Sequence, residues 1–188
     1  FTNFVLIIID TAHSLKCRLR RIGMVSQGME YLKRDEADVA IVTCRQELYG
    51  QFEKEFQKEG LYSEVLAHTT LYVVMPENHP LAGLEKFPVA ALCDAPFMML
   101  EKDARADAAE IFERCGLSPS VRFTTWDDYA IMSMVESGLG VSILPELILQ
   151  RVPYRICVRE LDVPAYRRIG LALRDRESAS LAVKCFLE

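Results

Sequence analysis

Apolar residues along this chain fall into short blocks with two periods. Residues 4–9 form an unbroken apolar, β-branched run of strand length, which predicts a buried strand. Met29 and Leu32 share one face of a helix over 26–34, with Ser26 placed to cap it. A strand over 38–44 follows, then an amphipathic helix over 48–59 closed by Gly60. Strands are expected at 62–68 and 70–75, before a turn at 76–83 containing Pro, Asn, His-Pro and Gly. Further on, the pattern predicts a strand at 97–100, a helix over 103–115 stopped by Gly116, and a strand at 121–125. The end reads as strands at 155–158 and 168–174 and a helix from Ser178.

Residues 124–145 carry the densest set of local instructions. Thr125 and Asp127 are suited to cap a helix, because their side-chain oxygens accept from N–H groups that lack a partner in the first turn. Ile131, Met134 and Val135 then make one apolar helical face. Gly138 suits a left-handed helix end and Gly140 a second tight bend; a short apolar strand at 141–144 and Pro145, opening another helix, complete the unit. Alternation of helix and strand through the whole chain implies an α/β protein with parallel sheets covered by helices on both faces.

Composition narrows the function classes. The chain has 188 residues, enough for a substantial core in one domain or two lobes, and 51% of them are hydrophobic. No apolar run approaches the roughly 20 residues needed to cross a bilayer. The formal charge of −5 opposes nucleic-acid binding by this piece, since phosphate-binding surfaces are basic. Lys16, Arg18, Arg20 and Arg21 form the one notable basic cluster, read as a solvated helix or strand face. Six cysteines, at 17, 44, 93, 115, 157 and 185, show no C-x-x-C spacing and no histidine at metal-ligand spacing, so no metal and no cofactor is expected. They read as small buried hydrophobes in a reducing cytoplasm, with Cys115 and Cys185 on apolar helical faces.

Four phrases then point to a family. MVESGLGVSILPE (134–146) closely resembles the V-x-x-G-x-G-x-x-x-L-P signature of the effector-binding domains of LysR-type transcriptional regulators. LKRDEADVAIV (32–42) resembles that family's helix-then-strand phrase, LYVVMPENHPLAG (71–83) its strand and His-Pro-Leu turn, and RRIGLALRDRESASLAVKCFLE (167–188) its returning strand and last helix. The resemblance covers residues 25–188; residues 10–24 are shorter than the family pattern and match it poorly. It implies two Rossmann-like lobes joined by two crossover strands, like type 2 periplasmic binding proteins. The implied lobes are 1–71 with 165–188, and 72–164, with crossings near 71–74 and 161–165. It also implies that DNA binding belongs to an N-terminal winged helix-turn-helix that these residues lack, and that such domains pair as homodimers or larger homo-oligomers.

In folds of this kind, ligands bind where strand C-termini meet helix N-termini, because unpaired N–H groups and the helix dipole attract anions there. The expected contacts, in an inter-lobe cleft, are Thr11, Ser14, Ser26, Thr43, Glu101, Arg105, Thr125, Trp126 and Ser142. Each has a plainer reading: Ser26 and Thr125 as helix caps, Arg105 as an exposed partner of Asp103 or Asp107, and Trp126 as a packing residue or a hinge plug. His13 beside Ser14 has no acid partner in sequence, so catalysis is not expected. The leading expectation is an effector-sensing regulatory domain that binds a small anionic metabolite. The alternatives are the solute-binding protein of a transporter and, third, an enzyme built on similar lobes.

Overall fold

The computed structural model describes residues 4–10, 16–22, 25–100 and 107–187, with the backbone alone at 4–10, 16–22, 25–26, 44–49 and 182. In chain order the elements are β1 (Phe4–Asp10), β2 (Lys16–Ile22), α1 (Val25–Lys33), β3 (Val39–Arg45), α2 (Gln46–Lys58) and β4 (Tyr62–Pro76). Then come β5 (Lys86–Phe87), a 3-10 helix (Val89–Cys93), β6 (Phe97–Leu100), α3 (Asp107–Cys115), β7 (Val121–Thr125) and α4 (Asp128–Glu136). The chain ends with β8 (Ser142–Pro145), α5 (Glu146–Leu149), β9 (Ile156–Leu161), β10 (Tyr166–Leu173) and α6 (Leu181–Leu187). It divides into two compact units, Phe1–His68 with Arg168–Glu188, and Thr69–Arg167.

In the first unit the strand order is β2-β1-β3-β10-β4. β3 shows why the sheet is covered on both faces. Ala40 and Val42 point into a cluster with Leu32, Phe52 and Phe56 of α1 and α2. Val39, one residue out of phase, packs with Leu171, Leu173 and Val183 of α6. Phe56, 2% exposed, contributes about 1.5–3 kcal/mol through burial. The Lys33–Glu59 ion pair joins the ends of the two helices on the outside.

Two expectations for this unit are corrected. The sheet is not parallel here: the basic cluster at 16–21, read as a helix or strand face, lies on a strand, β2, and β1 pairs antiparallel with both β2 and β3. Only five residues separate β1 from β2, and a parallel pairing needs a crossover of about a dozen or more. The period-two alternation of Lys16, Arg18 and Arg20 with Cys17 and Leu19 was the sequence signal for it. Ser26 is the second residue of α1 and does not precede it as a cap.

The second unit is built on the order β7-β6-β8-β4-β9-β5. β6 and β7 are parallel, and β6 joins β8 through a parallel bridge, Phe97 to Val141. β4 runs antiparallel to β8 on one side and β9 on the other, while β5 is parallel to β9. Five strands therefore share one direction and β4 opposes them. The expectation of purely parallel sheets fails at β4 because residues 62–76 form a single 15-residue strand instead of two short ones. That strand carries the chain from one unit into the other and enters the second sheet from the end where its neighbours finish.

Alternation again splits the core. Leu71, Val73 and Met75 face a cluster with Phe87, Phe97, Ile111, Phe112 and Ile143, covered by α3 and the 3-10 helix. Val74, Met98 and Leu144 face Ile131, Met132 and Val135 of α4, with Ile148 and Leu149 of α5 at the margin. The 76–83 turn is closed by His79, whose ring lies 5.8 Å from that of Phe87 and whose Nδ1 accepts from the Leu81 N–H at 3.2 Å. Burial holds the His79 pKa below its ordinary 6.5. The folded state thus favours neutral imidazole while the unfolded chain takes up a proton at 6.5. His79 should stabilise the fold fully above that pH and progressively less as pH falls through the lower folded value. A thermal melt series in wild type and His79→Gln checks this; identical pH profiles would remove His79 from the account.

Candidate functional site

The strands of the second unit that share a direction all end at one edge, and the registers align their last residues. Lys86 stands opposite Glu160, Glu160 opposite Tyr72, and Tyr72 opposite Leu144; on the far side Leu100 stands opposite Thr125. Cross-strand neighbours share a face, so this edge presents one row running from the Lys86–Glu160 ion pair, 3.6 Å, through Tyr72 to Thr125. Burial, then Glu146 and Glu160, push the Tyr72 hydroxyl above its ordinary pKa, keeping it a neutral donor at physiological pH.

At the far end of the row the caps are resolved. Asp127 is the N-cap of α4 and its Oδ1 accepts from the Tyr129 N–H at 2.8 Å. Thr125 Oγ1 accepts from the Asp127 N–H at 3.3 Å, so it shapes the turn ahead of the helix and is not itself the cap. Trp126 between them is 57% exposed and Tyr129 is 53% exposed, which leaves two aromatic faces open beside the capped helix start. α4 ends as its sequence requires: Gly138 takes φ +76, and its N–H donates to the Val135 carbonyl.

The expected contacts fall into three groups. Thr125 and Trp126 lie at the strand-end edge. Ser142 lies two residues behind it, 1% exposed, with Oγ donating to the Met98 carbonyl at 2.6 Å. That bond ties β8 to β6 and commits the hydroxyl inside the unit in this conformation. In the first unit, α1 and β3 are joined by a short turn, so the start of the helix and the end of the strand share one end. Ser26 lies seven residues back from Lys33, about 10 Å at 1.5 Å per residue, and Thr43 four residues beyond Val39, about 13 Å. Both positions are therefore near that end, with Thr43 half-buried. Thr11, Ser14, Glu101 and Arg105 lie outside the described residues. Tyr72, Glu160 and Lys86 were not among the expected contacts; they become neighbours only through sheet pairing.

Cysteine burial also differs from expectation. Cys93, Cys115 and Cys157 are free and half-buried, while Cys185 is free and exposed, because α6 turns it away from the Val183 face that packs on β10. Among the described residues no group of three His, Cys, Asp or Glu is placed to hold a metal ion, and no helix is long and apolar enough to cross a membrane.

A helix-covered α/β sheet of this kind is the fold of the effector-binding domains of LysR-type regulators, which resemble type 2 periplasmic binding proteins. The chain belongs to the LysR substrate binding domain family, whose model matches residues 21–188. β1 and most of β2 precede that match. The uncharacterized HTH-type transcriptional regulator YvbU of Bacillus subtilis is 29% identical over 168 residues, covering 88% of this chain and 53% of the relative. The chain thus spans about half the length of the curated relatives it matches, and these are transcriptional regulators. Among solved structures it is similar to the CcmR regulatory domain of Synechocystis in complex with 2-PG, with TM-score 0.64 and 24% identity over 86% of this chain and 75% of that one. It is also similar to the effector binding domain of QuiR in complex with shikimate, with TM-score 0.63 and 22% identity over 88% and 75%.

Proposed function

We propose that this chain is the effector-sensing part of a LysR-type transcriptional regulator that acts in the cytoplasm without catalysis. It binds a small metabolite carrying an anionic group, and DNA is contacted by another part of the parent protein. The observation that carries this reading is the family match across residues 21–188. The similar CcmR and QuiR domains are in complex with 2-PG and shikimate, which supports a small effector here as well. Because the relatives are transcriptional regulators, the transporter alternative loses its ground. An effector acts by binding one conformation better than another, and a coupling of about 1–3 kcal/mol suffices to alter attached DNA-binding modules.

A thermal-shift screen of the chain against carboxylates, amino acids and aromatic acids tests the reading. A ligand at 100 times its dissociation constant should stabilise the native state by about 2.7 kcal/mol. Alanine at both Ser26 and Thr125 should then weaken binding of the hit roughly tenfold or more while leaving the fold intact. Unchanged affinity would remove those two residues from the site, and a folded chain with no hit would remove the effector reading itself.

We also propose homodimerisation through the β7 edge. Val121 and Phe123 are each 43% exposed on this strand, which pairs with β6 alone among the described residues. Phe123→Asp should shift the chain toward monomer in light scattering; an unchanged mass would place the interface elsewhere.

A further inference from the structure

Buried polar atoms in native proteins nearly always have hydrogen-bond partners, so exceptions point to a role or to a missing occupant. Among the described residues, four side-chain atoms are buried without one: Ser63 Oγ, Thr69 Oγ1, Arg167 Nε and Arg168 Nε. Thr69 and Arg167 both belong to the second unit, one near the start of its share of β4 and the other at its last residue.

Their placement is fixed by the backbone. The Leu71 N–H donates to the Ala165 carbonyl at 2.8 Å, so the two segments run side by side there. Thr69 lies two residues before Leu71 and Arg167 two after Ala165, and residues two apart along a strand share a face. Leu71 and Ala165 both point into the cluster beneath α3. Thr69 and Arg167 therefore stand on the α3 face, at the edge where the strands end.

The guanidinium shows where that face leads. Arg167 Nη1 donates to Asp107 Oδ2 at 2.9 Å, and Asp107 is the first residue of α3, a helix of nine residues. The Arg167 side chain is 13% exposed and the whole of Thr69 only 1%. A buried hydroxyl and a buried N–H, both able to donate, thus stand on one face leading to a helix start, where unpaired backbone N–H groups and the helix dipole also favour negative charge. Asp107 pairs with Arg167 through Nη1 and holds the guanidinium by that edge, which leaves the buried Nε–H outside the pair.

We propose that this corner is the binding point for one oxyanion of the effector. A carboxylate or phosphate oxygen would accept from Arg167 Nε–H and the Thr69 hydroxyl, while Asp107 acts as the positioning residue for the arginine. A protonated ammonium group has no lone pair to accept from these donors and is disfavoured beside the guanidinium. This assignment rests on the reading of the domain as an effector sensor and names the ligand group its second unit selects.

The test follows the arginine Nε–H resonances of the ¹⁵N-labelled 188-residue chain during titration with malonate and, separately, inorganic phosphate at constant ionic strength. The resonance missing in Arg167→Lys should shift and saturate, and whichever anion saturates at lower concentration identifies the carboxylate or the phosphate source. Thr69→Val keeps the shape of the side chain and removes the unpartnered hydroxyl. It should weaken binding of the same anion roughly tenfold with an unchanged or higher melting temperature. A stationary Arg167 resonance, or wild-type affinity in Thr69→Val, would overturn the proposal, as would an occupant that is water alone. If a metabolite stabilises the chain while the Arg167 resonance stays still, the corner is wrong and the effector reading stands. If neither responds, both fall.

Discussion

Gly140→Ala should destabilise the domain by about 3 kcal/mol or more, the largest loss expected among Gly50, Gly60, Gly83, Gly116, Gly138 and Gly140. Gly140 has φ +154, a conformation that side chains rarely adopt. A Cβ built there would lie 2.1 Å from the Pro96 carbonyl oxygen and 3.0 Å from its carbon. Those atoms belong to the backbone and cannot rotate aside. Moving them apart would break the Val141 N–H bond to that same oxygen, 2.9 Å, and with it the seam between β8 and β6. Gly138 is the control. It has φ +76 but nothing within 4 Å of its added Cβ, so Gly138→Ala should cost only about 1–2 kcal/mol for the left-handed conformation. Urea denaturation of both variants measures the difference. Equal losses would mean that Pro96 yields freely and that the close approach is unimportant.

Phe97→Ala should cost about 3–5 kcal/mol. Phe97 is 0% exposed and stands on β6, with its ring edge-to-face against Phe112 of α3 at 5.0 Å and 88°. Its backbone N–H donates to the Ser120 carbonyl at the start of β7, and it takes part in the bridge to Val141 of β8. Truncation would leave a cavity where helix and sheet meet, with little surrounding freedom to collapse into it. A double-mutant cycle with Phe112→Ala should recover about 0.5–1.5 kcal/mol of coupling from the aromatic pair. A Phe97→Ala variant within about 1 kcal/mol of wild type would show that the α3 face repacks.

Much of this architecture is legible in the sequence. Residues 124–145 encode a cap, an apolar helical face, a left-handed stop and a buried strand, all through interactions within a few residues. The structure has α4, Gly138 and β8 in that order. Family membership was equally legible, because MVESGLGVSILPE packs its turn and strand signals into one short phrase. The basic cluster at 16–21 left helix and strand open, and pairing with β1 decides for the strand. The two strands expected at 62–75 proved to be one, since His68, Thr69 and Thr70 carry no breaker.

The candidate site was less legible, and the reason is physical. Caps such as Asp127 follow from local hydrogen bonding, and the sequence determined them along with element positions, the alternating core faces and the glycine turns. The opposed direction of β4, the row from Lys86 to Thr125, the Ser142 bond to Met98 44 residues away and the Arg167–Asp107 pair 60 residues apart belong to tertiary structure alone. Each depends on which strands become neighbours and in which register. A pattern with period two tells a residue which face it occupies, but the partner on that face is chosen by long-range packing of the whole sheet.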